Sequence, residues 1–423
     1  MQVTIDPSFV IGKIIAPSSK SMMQRVCAAA LLHKGSTTII NSGTSDDDQV
    51  ALNIVAHCGA QVLKTDTHKT MIQSSGKLNN ISQIDCGESG LSARLFTPIL
   101  SMSNQSVLIN GHGSLLSRPM PDIEPVLNAL KVSFKSRLNC LPFTIQGPLQ
   151  PQDISVDGSG GSQFLTGLLF ALSYAAKEKI TITATSLQSK PYIDMTLEVL
   201  THFKKNIMHE NYERFIIHPT TIFPQKDIEI TIEGDWSSAA YWLVAGAIHG
   251  NVVVENLNPT SCQADRKIIE ILQQAGVQCH SIGDSMHVMK SQLSAFDVDL
   301  TDCPDLFPIV SILAACSRGT SLLHGVHRLW HKESNREKSI KALLSAFGVE
   351  HRVENNSLII EGRDTLKSFP VNGFNDHRIV MAATVGSLRS EGLVTISDAL
   401  AVRKSYLSFF EDAAGLGLVC NVK

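Results

Sequence analysis

IKALLSAFGVE (340–350), followed by SLIIEG (357–362), is the stretch on which the fold turns. Its apolar spacing fits one helical face, and its Gly stands where a helix commonly ends on a left-handed residue. The second segment alternates as a strand does. Five other segments read alike: ALNIVAHCGAQV (51–62), VLNALKVSFKS (126–136), LEVLTHFKKNI (197–207), IIEILQQAGVQ (268–278) and FFEDAAGLGLV (409–419). Aligned on Gly59, Lys131, Lys204, Gly276, Gly348 and Gly417, they are separated by steps of 72, 73, 72, 72 and 69 residues. A second series lies between them: SKSMMQRVCAAALL, ESGLSARLFTPIL, GSQFLTGLLFALSYAA, DWSSAAYWLVAGAI, DLFPIVSILAA and DHRIVMAATVGSL. Each begins with small or polar residues, near Ser21, Gly90, Ser162, Ser237, Asp305 and Asp376, and runs into a strongly apolar helix. The implied unit is strand, buried helix, strand, amphipathic helix and two strands, six times over in an α/β chain.

Composition narrows the function. Of 423 residues, 43% are apolar and 18% charged, which suits two or three domains with a large core and excludes disorder. The longest apolar run, LFPIVSILAAC (306–316), is too short to span a bilayer. The N-terminal MQVTIDPSFVIGKIIAP alternates like a strand and lacks the features of a signal peptide. Nine cysteines without a CxxC or ligand-like cluster point to reduced thiols in a cytosolic protein and to no metal site. Lys+Arg 36 against Asp+Glu 39 argues against a general polyanion binder, so anion chemistry has to come from local clusters of bases.

Such clusters lie beside the helix starts. A helix N-terminus exposes unpaired N–H groups and carries about half a positive charge, and small residues let an anion approach it. Capping alone explains a Ser or Asp at any one start, but not the recurrence of bases next to so many. PSSKSMMQR brings Lys20, Ser21 and Arg25. LLSRPMPDIEPVL brings Arg118, with Pro119 marking the approach of a helix. HKESNR brings Lys332, Glu333 and Arg336, and the spacing puts Lys332 and Arg336 on one helical face. Like charges at that spacing repel unless an anion bridges them. NDHR adds Asp376, His377 and Arg378, and RKSY adds Lys404. Together they imply a pocket for small, multiply charged anions.

PSSKSMMQR, GESGLSARL, LLSRPM, DGSGGSQFLTGLL, LQSKPYIDMTL, EGDWSSAAYWL, PDLFPI, HKESNR, NDHR and RKSY occur in the order found in the 5-enolpyruvylshikimate-3-phosphate synthase family, which the chain resembles from about residue 14 to 410. The resemblance implies a fold of two similar lobes, each of three βαβαββ units. It implies a lobe over 20–234, a second over 1–19 with 235–423, and an active site in the cleft between them. The implied reaction moves the enolpyruvyl group of phosphoenolpyruvate to the 5-hydroxyl of shikimate 3-phosphate, with no cofactor and no metal. By motif, Lys20, Ser21, Arg25, Ser162, Gln163, Ser189 and Tyr192, with Asp305 and Lys332, would hold shikimate 3-phosphate. Lys20, Gly90, Arg118, Gln163, Arg336, Arg378 and Lys404 would hold phosphoenolpyruvate. Asp305 would be the base for the attacking hydroxyl and Glu333 the acid for the methylene carbon, with Lys20 between the two substrates. Guanidinium forks suit the roughly five negative charges that two such substrates bring.

The chain departs from the family pattern at Ser18, Glu88, Leu91, Gly161 and Leu407, and Arg328 stands where a shikimate-binding Asn is usual. Glu88 and Leu91 bear on the phosphoenolpyruvate pocket and on sensitivity to glyphosate. A sister family that uses a UDP-amino sugar carries a reactive Cys in a loop, whereas LINGHGSLLSRPM (108–120) has none. An RNA-cyclase-like protein of the same units should be basic and rich in stacking aromatics; net charge −3 and 6% aromatics disfavour it, and no nucleic-acid or membrane partner is expected. The expected state is a cytosolic monomer whose lobes close on shikimate 3-phosphate, because cations contributed by both halves repel until a polyanion joins them.

Overall fold

In Ile180–Thr185 the alternate residues Ile180, Ile182 and Ala184 are buried, a period of two that covers one sheet face and leaves the other wet. The same alternation recurs in Lys34–Ile40 and Cys140–Gln146 of the computed structural model, which describes residues 1–79, 81–220 and 226–422. Ile180–Thr185 runs parallel to Ile154–Asp157 and antiparallel to Arg214–His218, which pairs in turn with Asn206–Glu210. The helices Gln163–Ala175 and Pro191–His202 fill the two crossovers. Residues 83–146 and 297–361 repeat this βαβαββ pattern with the same strand order.

The remaining three repeats take a strand from elsewhere in the chain. Asp227–Thr231 lies parallel to Lys34–Ile40 as the first strand of its sheet, and Val10–Ile15 does the same beside Gly250–Glu255. Val3–Asp6 is inserted antiparallel between Val394–Ile396 and Val419–Val422. The N-terminal segment is therefore two strands in two sheets, not the one strand its alternation suggests. Pro7, which has no N–H to give a ladder, stands between them. The chain divides into two compact units with three repeats each: Met1–Pro17 with Glu233–Lys423, and Ser18–Ile232.

All six positions on which the repeats align have left-handed backbones. Gly59, Gly276, Gly348 and Gly417 have φ of 101°, 89°, 68° and 92°, and Lys131 and Lys204 have 64° and 59°. The two lysines bear a cost of roughly 1–2 kcal/mol each that Gly avoids. The amphipathic helices bury the expected stripe, Ile268, Ile271 and Leu272 in one and Ile340, Leu343 and Leu344 in another. The other series is buried nearly all round: every residue of Phe307–Ala315 and His377–Gly386, and all of Trp236–His249 but its last. Among the described residues no helix is long and apolar enough to cross a membrane.

One core contact reaches toward the site. Trp242 stacks on Phe409 at 4.9 Å and donates from Nε1 to the Tyr406 hydroxyl at 3.0 Å, fixing the chain just beyond Lys404. Trp242→Ala should cost about 3–5 kcal/mol of stability, read as a lower denaturant midpoint, and a change under ~1 kcal/mol would contradict that packing role.

Candidate active site

Each unit gathers polar side chains at the starts of its buried helices. In the unit Met1–Pro17 with Glu233–Lys423, the centre is Asp305, in the turn Pro304–Leu306 that precedes Phe307–Ala315. Its Oδ1 accepts from Arg336 Nη1 at 2.7 Å and from Lys332 Nζ at 3.5 Å, and its Oδ2 accepts from Arg378 Nη2 at 2.8 Å. Burial alone would raise this carboxyl, but Arg378, Lys332 and Arg336 outweigh it and hold the group well below the usual carboxylate range.

Arg336 is fully buried and its fork is in use on every side. Nε and Nη2 donate to Asp376 at 2.9 and 3.3 Å, Nη1 reaches Asp305, and Nη2 also binds Glu333. Burial opposes the charge of Arg336, yet Asp376, Glu333 and Asp305 keep it protonated more firmly than a free arginine. Asp376 caps His377–Gly386 by accepting from the Arg378 N–H at 3.0 Å, and it also accepts from the Ser334 hydroxyl at 3.0 Å. Just before it, Phe374 and Asn375 both have positive φ, 52° and 50°, a strained pair of the kind that collects at functional sites. The Asn375 carbonyl accepts from Lys404 Nζ at 2.7 Å.

Two expectations need correction here. Lys332 and Arg336 do not share a helical face, because Asn335 caps the helix by accepting from the Lys338 N–H, and the helix starts only at Arg336. The anion that reconciles the two cations is Asp305, which both of them reach. Burial lowers the Lys332 pKa against the pull of Asp305, with Arg336 and Arg328 adding to the drop. Nor does Arg118 adjoin a helix start: it follows the 3-10 turn Gly113–Ser117, and the next helix begins at Ile123. Arg328, at the position of the usual Asn, donates to the Thr301 carbonyl at 3.3 Å. Burial lowers its pKa, while Asp302 and Asp305 pull it back up, which sets it within electrostatic reach of the site.

In the unit Ser18–Ile232, Ser19 caps Lys20–Leu32, and Lys20 Nζ pairs with Asp47 Oδ2 at 2.9 Å. Arg25, 1% exposed, donates to the Ser21 carbonyl (2.7 Å), Thr196 Oγ1 (2.9 Å), the Tyr192 carbonyl (3.2 Å) and Thr166 Oγ1 (3.5 Å). It thereby ties three helices together, with Tyr192 under its guanidinium at 5.9 Å. Ser162 precedes Gln163–Ala175 but gives that helix no side-chain cap, so its hydroxyl is not spent on the helix's own N–H groups. Ser189 has φ 59°, again left-handed without being Gly. Around Gly90 two of the residues expected with it come close, and Arg94 joins them: a Cβ placed there would lie 3.2 Å from Arg118 Nη1, 3.2 Å from Arg94 Nη1 and 3.9 Å from Gln163 Oε1. Arg94 Nη1 donates to the Gly90 carbonyl and to Gln163 Oε1.

Lys20, Ser21, Arg25 and Tyr192 are thus assembled in one unit, as are Gly90, Arg118 and Gln163. Asp305, Lys332, Glu333, Arg336 and Arg378 are linked through Asp305, Arg336 and Asp376 in the other, and Lys404 is held beside them by the Asn375 carbonyl. Sequence reasoning gave no role to Arg94, four residues after Gly90 and hence above it on the helix, nor to Asp376 as the anchor of Arg336. The first spacing was readable; the second partnership joins residues forty apart and was not.

The six repeats in two compact units are the fold of the enolpyruvyl transferases. The chain matches the solved structure of EPSP synthase from Acinetobacter baumannii with a TM-score of 0.83 and 25% identity, covering 100% of this chain and 99% of that one. It matches the enolpyruvyl transferase NikO from Streptomyces tendae with a TM-score of 0.78 over 99% and 98% of the two chains; at 14% identity this is a likeness of fold alone. Within that class, the family model for EPSP synthase (3-phosphoshikimate 1-carboxyvinyltransferase) matches residues 6–413, and the chain belongs to that family. It is 34% identical over 417 residues to the 3-phosphoshikimate 1-carboxyvinyltransferase of Clostridium kluyveri, covering 98% of this chain and 97% of that one. It is 32% identical over 420 residues to that of Methanocorpusculum labreanum, covering 99% of each.

Proposed function

We propose that the cluster around Asp305 carries out the acid–base steps of the family's reaction, the transfer of the enolpyruvyl group of phosphoenolpyruvate to the 5-hydroxyl of shikimate 3-phosphate with release of phosphate. The observation that carries this is the convergence of Arg336, Arg378 and Lys332 on one carboxylate, with Glu333 on the same Arg336. With three cations on it, Asp305 is a poor base. An anionic substrate that draws Arg336 and Arg378 to itself frees Asp305 to accept the hydroxyl proton, and lets Glu333, relieved of Arg336, take a proton from solvent and pass it to the methylene carbon. Because the product keeps its methylene, the proton gained there has to be returned when phosphate leaves, so the acid–base pair acts in both directions.

Lys20, Ser21, Arg25, Ser162, Gln163, Ser189 and Tyr192 take shikimate 3-phosphate in this reading. Arg25 and Tyr192 supply a rigid floor, and the start of Gln163–Ala175 supplies N–H groups for an anion. Phosphoenolpyruvate falls to Lys20, Gly90, Arg118, Gln163, Arg336, Arg378 and Lys404. Asp376 holds Arg336 and Asp47 holds Lys20, so two of these cations start from fixed positions. The nine cysteines, all free thiols, suit a reducing compartment, and a cytosolic monomer is our reading of the whole protein.

The deciding experiment mixes purified protein with both substrates and follows inorganic phosphate. No release above a control lacking shikimate 3-phosphate overturns the reading. A finer check is Gly90→Ala. Its Cβ intrudes on the Arg118 and Arg94 guanidinium groups, and we expect the phosphoenolpyruvate KM to rise roughly tenfold, about 1.4 kcal/mol and within the cost of overpacking. The KM for shikimate 3-phosphate should move far less, and equal effects on both would remove Gly90 from the phosphoenolpyruvate set.

A further inference from the structure

Asp265 lies outside every motif singled out above. It sits in the short turn Ala264–Lys267 and is 1% exposed. Its Oδ2 accepts from the Ser237 hydroxyl, and its Oδ1 has no hydrogen-bond partner. Besides Ser237 at the start of Trp236–His249, it is within electrostatic reach of Asp305 from the turn Pro304–Leu306, Arg378 from His377–Gly386, Asp235 and the Cys303 thiol. No Lys, Arg or His among the described residues is in ion-pair contact with it. A buried carboxylate with one hydroxyl partner and an orphaned oxygen lacks what a buried charge requires. Burial first, and then the charge of Asp305, push its carboxyl up to about 7, against the pull of Arg378 and the Ser237 hydroxyl. Asp305 is driven the opposite way by its three cations. Neighbouring carboxyls whose surroundings push them apart have different protonation states and different tasks.

We propose that Asp265 is a positioning residue that holds a proton whenever an anionic ligand occupies Arg378, so that phosphoenolpyruvate binds best to the protein with Asp265 neutral. This rests on the assignment of Arg378 to phosphoenolpyruvate. An ionised Asp265 competes with the ligand for Arg378 and adds a second negative charge behind Asp305. The ligand, in turn, brings negative charge toward Asp265 and takes up part of the arginine that would stabilise its carboxylate. Each effect favours the proton, which comes from solvent. By linkage the proton then favours the anion by the same factor.

The test measures phosphoenolpyruvate affinity at saturating shikimate 3-phosphate from about pH 6.5 to 9, a range in which the Asp265 carboxyl titrates and an ordinary carboxyl does not. In the unsubstituted protein, affinity should fall above neutrality, approaching about tenfold per pH unit for one linked proton. Asp265→Asn cannot ionise and should lose that fall, whatever pH dependence the substrates themselves contribute. Ser237→Ala removes the donor that favours the carboxylate and should shift the fall to higher pH, which keeps the test open if the first variant folds poorly. Calorimetry in buffers of different ionisation heat should count about one more proton taken up by the unsubstituted protein than by Asp265→Asn. Identical pH profiles for Asp265→Asn and the unsubstituted protein, or an unmoved fall in Ser237→Ala, overturn the proposal. Arg378→Lys is the control: unchanged affinity in that variant overturns the assignment of Arg378, whereas weakened affinity with an unaltered Asp265→Asn profile overturns only the role of Asp265.

Discussion

Glu333→Gln should slow turnover by about two to four orders of magnitude, the range that general acid catalysis contributes. The amide keeps the size of the side chain and one carbonyl oxygen to accept from Arg336, so the anchoring of that arginine survives. What is lost is the transferable proton. Shikimate 3-phosphate binding, assigned chiefly to side chains of Ser18–Ile232, should stay close to normal by calorimetry. Under the alternative, Glu333 only neutralises Arg336, and the variant would then lose phosphoenolpyruvate affinity while keeping its turnover at saturation. Near-normal turnover would remove Glu333 from the acid role.

Arg336→Lys is the second large effect, and it does not behave as a conservative change. The guanidinium serves Asp376 through two nitrogens, Asp305 through a third, and Glu333 through one of the first two. An ammonium is a point charge that cannot span three carboxylates from one position. Buried acceptors are left short of donors, and truncating one partner of such a pair costs about 2–5 kcal/mol. We expect kcat/KM for phosphoenolpyruvate to fall by roughly a hundredfold or more, with shikimate 3-phosphate binding much less affected. A parallel loss of both ligands would mean that the variant acts through the fold of its unit, which denaturant unfolding would reveal as a lower midpoint.

Much of the fold was legible because the repeat is local chemistry. A helix face, a left-handed stop and an alternating strand all leave marks within a dozen residues. The register held even at Lys131 and Lys204, where no Gly advertises the turn, because the flanking apolar spacing carried it. The borrowed strands were not legible. Nothing in Val3–Asp6 or Val10–Ile15 says that their partners lie hundreds of residues away in two different sheets. Bases beside helix starts could be read as an anion site, but their detailed placement depended on one cap: Asn335 delays the helix by a turn and leaves Lys332 in a loop, yet still in reach of Asp305. Asp265 escaped notice for a related reason. Its neighbours Ser237, Asp305 and Arg378 come from three other elements, and only packing reveals that its second oxygen has nothing to bind.

The insertion of Val3–Asp6 between Val394–Ile396 and Val419–Val422 has a consequence for how the protein is made. On a translating ribosome residues 3–15 emerge well before any of their sheet neighbours, which come with Gly250–Glu255 and then residues 394–422. Ser18–Ile232 is one continuous piece of chain and has all three of its sheets once Asp227–Thr231 is out. Domains generally fold as units as they emerge, so this piece folds before the two apolar strands that precede it have any sheet partner. That interval exposes bare strand edges to other nascent chains. A circular permutant that links residue 422 to residue 3 through a short linker and begins near residue 233 would abolish the wait, since Val3 and Val422 already stand in register as neighbours.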